Sequence, residues 1–160
     1  MFTLPEIIDL AVRIEKNGAK VYGKAEASAS NASLASLLGW LKEEEAEHEK
    51  WFKAFREELG ESEEDPRLEE MGQAVLQGVL GDQAFSIAEA DFNQIKEMRS
   101  LLELSLEFEK DTILFYQMLS AFLEDAEILN RLNQIIEEEN RHVQRLEDFL
   151  EKEKRQEETL

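Results

Sequence analysis

The sequence predicts an all-α chain: a four-helix bundle of two antiparallel helix hairpins, joined by a long crossover that contains a short helix. Three observations carry this expectation. Only two prolines and seven glycines interrupt 160 residues, and the stretches between them repeat apolar residues at steps of three and four, the helical period. A short polar turn lies inside each half, whereas about thirty residues separate the halves. The halves also repeat. Glu15 and Glu109, Tyr22 and Tyr116, Asn31 and Asp125, Glu45 and Glu139, and His48 and His142 all lie 94 residues apart.

The first helix is expected from about Pro5, a favourable first-turn residue, to about Ala29, with the seam Ile8, Val12, Glu15, Ala19 and Tyr22. After a turn at 29–31, Asn31 caps a second helix that ends near Gly60. Its seam is Leu34, Leu38, Leu41, Glu45, His48, Phe52 and Phe55. The crossover spans 61–92, where Asp65-Pro66 opens a short amphipathic helix through Leu68, Met71, Val75 and Val79, and Gly81-Asp82 breaks it. A third helix covers roughly Asn93 to Leu123, with Leu102, Leu106, Glu109, Ile113 and Tyr116 in its seam. Following a turn at 124–125, Asp125 caps the fourth, which carries Ile128, Leu132, Ile135, Glu139, His142, Leu146 and Phe149. Seams of period 3.5 predict a left-handed bundle. Residues 1–154 are expected to form a single domain, and the charged residues 155–160 a frayed tail.

Composition narrows the function. A formal charge of −19 argues against nucleic acid, whose phosphates reward lysine and arginine, and mainly serves solubility. The absence of cysteine excludes disulfides, zinc ribbons and iron–sulfur clusters within this sequence, and agrees with a reducing cytoplasm. No basic region precedes an apolar stretch at the N-terminus, and no apolar run is long enough for a membrane span.

What the seams carry is more specific. Every one of them contains glutamate, and two contain the only histidines, as Glu45-Ala-Glu-His48 and Glu139-Asn-Arg-His142. Residues three apart share a helix face, so each glutamate and its histidine point the same way. Converging buried carboxylates without a counter-charge would be ruinous. Two divalent cations balance the four negative charges of Glu15, Glu45, Glu109 and Glu139. Together with His48 and His142 these residues make the ligand set of a dinuclear metal site. Glutamate supplies 30 of the 160 residues, so both histidines would follow one by three positions in about 4 % of such chains by chance. The shared offset and seam register make the pattern much harder to dismiss. Glu43, Glu44, Glu47, Glu137 and Glu138 read mostly as solvated faces, although one or two could bond the free nitrogen of a ligand histidine. Tyr22 and Tyr116 read either as core tyrosines or as hydroxyls bonded to a metal-bound carboxylate. Trp40 and Trp51 fall off the seam and fit equally a position under the crossover or a homodimer surface.

These strings resemble a known family. Ile14-Glu15-Lys16 with Tyr22, Phe108-Glu109-Lys110-Asp111 with Tyr116, and Glu43-Glu44-Glu45 with His48 look like the rubrerythrin-like branch of the ferritin-like di-iron carboxylate superfamily, over about residues 5–150. The resemblance implies a ferritin-like four-helix bundle with two iron ions per chain. It makes Glu15 and Glu109 terminal ligands, Glu45 and Glu139 bridges, and His48 and His142 caps of one ion each. It further implies a non-haem di-iron oxidoreductase of peroxidase type, reducing peroxide or dioxygen. Rubrerythrins usually carry a C-terminal rubredoxin domain; without cysteine here, electrons are expected from a separate donor protein. They also place a further glutamate one turn after the third-helix ligand, where this chain has Thr112, with Gly18 as its repeat counterpart. Binding without turnover remains the alternative: a ferroxidase, an iron-sequestering protein or a metal-stabilised structural bundle. Oxygen and imidazole ligands accept manganese and zinc as well as iron.

Overall fold

In a computed structural model, residues 2–61, 63–80 and 95–158 are described, with side chains from 98 onward in the last stretch. The chain is all-α. Among the described residues lie five helices and no strand: α1 (Leu4–Ala27), α2 (Ala32–Glu58), α3 (Pro66–Gln77), α4 (Ile95–Ser120) and α5 (Ala126–Glu158). They fall into two compact units, Met1–Ala90 and Asp91–Leu160. The expected break at Gly81-Asp82, the rest of the crossover to Phe92 and the expected start of the third helix at Asn93 lie outside the described residues.

In the first unit, α1 begins in a capping box. The Glu6 backbone N–H donates to Thr3 Oγ1 at 3.4 Å, and the Thr3 N–H donates to Glu6 Oε2 at 2.8 Å, so two groups left over by the first turn are satisfied reciprocally. The helix ends at Ala27 rather than Ala29, where Ser28 closes a tighter turn onto the Ala25 carbonyl. Asn31 caps α2 as expected, accepting from the Leu34 N–H at 2.8 Å. Asp65 does the same for α3, accepting from the Arg67 N–H at 2.9 Å. Both α2 and α3 pack against α1. The Phe2 ring lies on Gly72, and the Phe2 N–H donates to Glu69. Leu68, Met71, Val75 and Val79 are buried as expected, but α3 ends at Gln77 with Gly78 as its cap, so Val79 lies beyond the helix that was expected to carry it.

In the second unit, α4 packs against α5. Asp125 Oδ1 accepts from the backbone N–H groups of Glu127 and Ile128 at 2.9 and 3.2 Å. The helix α5 continues through Glu158, past position 155 where the sequence predicts a charged tail. Arg155 pairs with Glu151 at 2.9 Å, and Arg99 of α4 pairs with Glu157; these contacts give the last turns of α5 partners on its own face and on α4.

All seven expected seam residues of α2 are buried. Those of α1 need correction. Its buried line runs Ile8, Ala11, Glu15, Gly18, Tyr22 and Ala25, while Val12 and Ala19 are only half-buried. In α4 the corresponding line runs Met98, Leu102, Ser105, Glu109, Thr112, Tyr116 and Leu119, with Leu106 half-buried and Ile113 buried beside it. Steps of three and four are kept in both helices, but small residues flank the buried glutamate, Ala11 and Gly18 in α1 and Ser105 and Thr112 in α4, again 94 residues apart.

Candidate metal centre

Each unit brings together two carboxylates and one imidazole. In the first, α1 supplies Glu15 and α2 supplies Glu45 and His48, and all three are completely buried. His48 Nδ1 stands 3.5 Å from Glu15 Oε2, and one potential ligand atom from each of the three lies within 4.8 Å of the others. In the second unit, α4 supplies Glu109 and α5 supplies Glu139 and His142, again completely buried. His142 Nδ1 lies 3.5 Å from Glu109 Oε2 and 3.3 Å from Glu139 Oε2. The same 4.8 Å limit holds for this trio.

The local sequence explains the convergence. Glutamate and histidine three residues apart share one face of α2 and of α5, and that face is the apolar seam that buries itself against α1 or α4. Both histidines turn Nδ1 toward carboxylates, which leaves Nε2 on the far edge of the ring.

Electrostatics shows what this costs the protein without a cation. Burial, aided by the adjacent Glu139 charge, pushes the Glu109 carboxyl up to about 7, against an opposing pull from His142. Burial alone would lower His142, but the charges of Glu109 and Glu139 outweigh it and hold the imidazolium well above its usual range. Both shifts favour proton uptake by this cluster when no cation balances its carboxylates. The donor set fits a divalent metal ion: oxygen and imidazole ligands, fully buried, in need of positive charge.

The other acids divide by position. Glu43, Glu47 and Glu137 are exposed and Glu44 and Glu138 half-buried. A Glu44 oxygen comes within 4.8 Å of a ring nitrogen of His48, whereas Glu138 pairs with Arg131 at 3.4 Å. Tyr22 and Tyr116 are buried, at 1 % and 0 % exposure. Thr112 is buried too, and its hydroxyl donates to the Phe108 carbonyl at 2.8 Å. That bond to its own helix engages the hydroxyl at the place where the family resembled has a further glutamate. Trp40 and Trp51 are half-buried, and Trp51 stacks on Phe55 of its own helix with ring centroids 5.5 Å apart.

Sequence reasoning did not single out the packing role of Gly18. A methyl group built there would stand 3.0 Å from Glu45 Oε2, so the Glu45 carboxylate rests on the α1 backbone. The available signal was the position of Gly18 three residues after Glu15, on the same face.

Helical hairpins carrying Glu and Glu-x-x-His define the class of ferritin-like carboxylate proteins. The chain belongs to the rubrerythrin family, whose model matches residues 6–150. Its fold is similar to that of a Thermotoga maritima protein described as ferritin-like and diiron-carboxylate, with a TM-score of 0.71 at 18 % identity over 94 % of this chain and 95 % of that one. A hypothetical protein from Pyrococcus furiosus is similar as well, with a TM-score of 0.71 at 17 % identity over 94 % of this chain and 89 % of the other. No curated protein matches the sequence.

Among the described residues, no helix is long and apolar enough to cross a membrane.

Proposed function

We propose that this chain is a non-haem di-iron oxidoreductase that reduces peroxide or dioxygen, working in the cytoplasm with electrons from a separate donor protein. The observation that carries the reading is the pair of completely buried trios, Glu15, Glu45 and His48 and their counterparts Glu109, Glu139 and His142, in a chain of the rubrerythrin family. We assign these six residues as the ligands of two metal ions in one four-helix domain. The four glutamates would supply the negative charge that holds the ions, and the two histidines would supply neutral donors. Iron bound there supplies one electron per ion, matching the two electrons that cleavage of an O–O bond consumes.

The protein's own groups do the rest. Four carboxylates neutralise two divalent charges, and the apolar seam above and below them keeps bulk water out. The Tyr22 and Tyr116 hydroxyls act as hydrogen-bond donors to the ligand carboxylates, fixing their orientation. Since the sequence contains no cysteine, electrons arrive from outside it.

Stopped-flow mixing of the anaerobic iron(II)-loaded protein with each oxidant tests the reading. Oxidation should be faster with hydrogen peroxide than with dioxygen. Equal rates, or a faster reaction with dioxygen, would point to an oxidase or ferroxidase. No response to either, alongside zinc bound on purification, would leave a structural bundle.

A further inference from the structure

The two halves of the candidate site offer the same ligands but not the same backing. At Gly18 the α1 backbone directly underlies Glu45. A Cβ there would lie 3.0 Å from Oε2, 3.2 Å from Cδ and 3.4 Å from Cγ, against the 3.4–4 Å of ordinary contact. Three successive side-chain atoms of one ligand therefore run along a single missing methyl group. Glu45 is completely buried, so its carboxylate cannot swing into solvent to make room. The repeat counterpart of Gly18 is Thr112, which has both a Cβ and a hydroxyl and is itself completely buried. The glycine is thus a feature of the first half alone.

Metal sites are sensitive to displacements of this size. Ligand distances tolerate only about 0.2 Å, and disturbing the groups that orient a ligand costs roughly 10–100-fold in metal affinity. A glycine inside a 24-residue helix is otherwise a liability, because alanine holds the helix better.

We propose that Gly18 is a positioning residue for the metal: its missing side chain is the seat of the Glu45 carboxylate, a seat that the first half of the site has and the second, with Thr112, lacks. The inference rests on the assignment of Glu45 as a metal ligand under Proposed function. It predicts that Gly18→Ala displaces Glu45 and weakens metal binding while the metal-free helix becomes no less stable.

Anaerobic titration with cobalt(II), followed by its visible d–d absorption, measures this without any turnover. The wild type, Gly18→Ala, Glu45→Gln and the double variant form a cycle that isolates the coupling. Gly18→Ala should lower cobalt affinity at least 10-fold and change the absorption envelope, with a metal-free melting temperature equal to or above that of the wild type. In the Glu45→Gln background the same substitution should change affinity by less than 2-fold. A Gly18→Ala protein that binds cobalt as tightly as the wild type overturns the proposal, as does an equal loss in both backgrounds, which would mark a general packing defect. If the wild type itself takes up no cobalt, the metal-site assignment falls and this proposal falls with it. Two cobalt ions in the wild type with no effect of Gly18→Ala would remove only the role of Gly18.

Discussion

The two units repeat one plan with different packing, and the difference is most informative where the repeat breaks. The buried glutamates and histidines, the tyrosines and the helix caps repeat between Met1–Ala90 and Asp91–Leu160. Positions that set how helices approach each other do not. Gly18, Gly23 and Gly39 of the first unit face side chains of the neighbouring helix, and their counterparts are Thr112, Gln117 and Asn133. Leu10 is 4 % exposed whereas its counterpart Leu104 is 37 % exposed. Leu114 and Met118, both exposed, stand where α1 has Lys20 and Lys24. The residues proposed as ligands repeat between the units, while the packing around them differs.

Removing metal should expose this contrast through pH. In the second unit the Glu109 carboxyl is raised from its ordinary 4.5 to about 7, so its stabilising contribution is full below that ordinary value and lost as pH rises through about 7. His142 is also raised, from 6.5; its contribution is complete below that value and lost as pH climbs above it. Both slopes have one sign. The metal-free protein should lose about 3 kcal/mol between pH 4.5 and 7.5 from Glu109 alone, roughly 6–12 °C in melting temperature. Repulsion among surface carboxylates adds to the same trend. Metal should reverse it, since its ligands bind deprotonated. A metal-free melting temperature that is flat or rises over this range would break the account, and Glu109→Gln should flatten the slope.

Helix capping tests whether the repeat is energetic as well as geometric. Asn31→Ala and Asp125→Ala each remove a side chain that accepts backbone N–H groups at the start of α2 and α5. Each should cost about 1 kcal/mol in denaturant titrations. A near-zero cost for one of them would show that its unit tolerates an uncapped helix.

The smallest effect is expected on the outer face of α4. Leu114→Lys and Met118→Lys copy the first unit onto the second, and should change stability by less than about 0.5 kcal/mol each. A larger loss, seen by the same titration, would mean that these exposed side chains are covered in solution.

Much of this was legible in the sequence, for reasons that differ along the chain. The seam of α2 could be read completely, because its apolar and ligand residues occupy one narrow line and charged residues flank it. In α1 a second buried row, Ile7, Leu10, Ile14 and Val21, runs beside the first. From Ile8, Glu15 and Tyr22 a step of four then three reaches Val12 and Ala19, and a step of three then four reaches Ala11 and Gly18; the sequence period fits both, and the buried line takes the second. Small residues at those points make sense only once α2 is in place. The Thr3 cap was missed because Pro5 offered a competing start signal, although Thr3 and Glu6 already had capping-box spacing. At the far end, charge composition predicts fraying at 155, while the Arg99–Glu157 pair that reaches α5 from α4 is invisible locally. Identity of the metal leaves no trace in residue types that several ions accept.

The central claim is that six buried side chains, three from each unit, bind two metal ions. Its most direct test is the stoichiometry of anaerobic iron(II) binding to the metal-free protein, read by equilibrium dialysis and metal analysis. Two tightly bound ions per chain are predicted for the wild type, with occupancy of both reduced in Glu45→Ala and in Glu139→Ala. One ion or none in the wild type, or two tightly bound ions surviving Glu45→Ala, would contradict it.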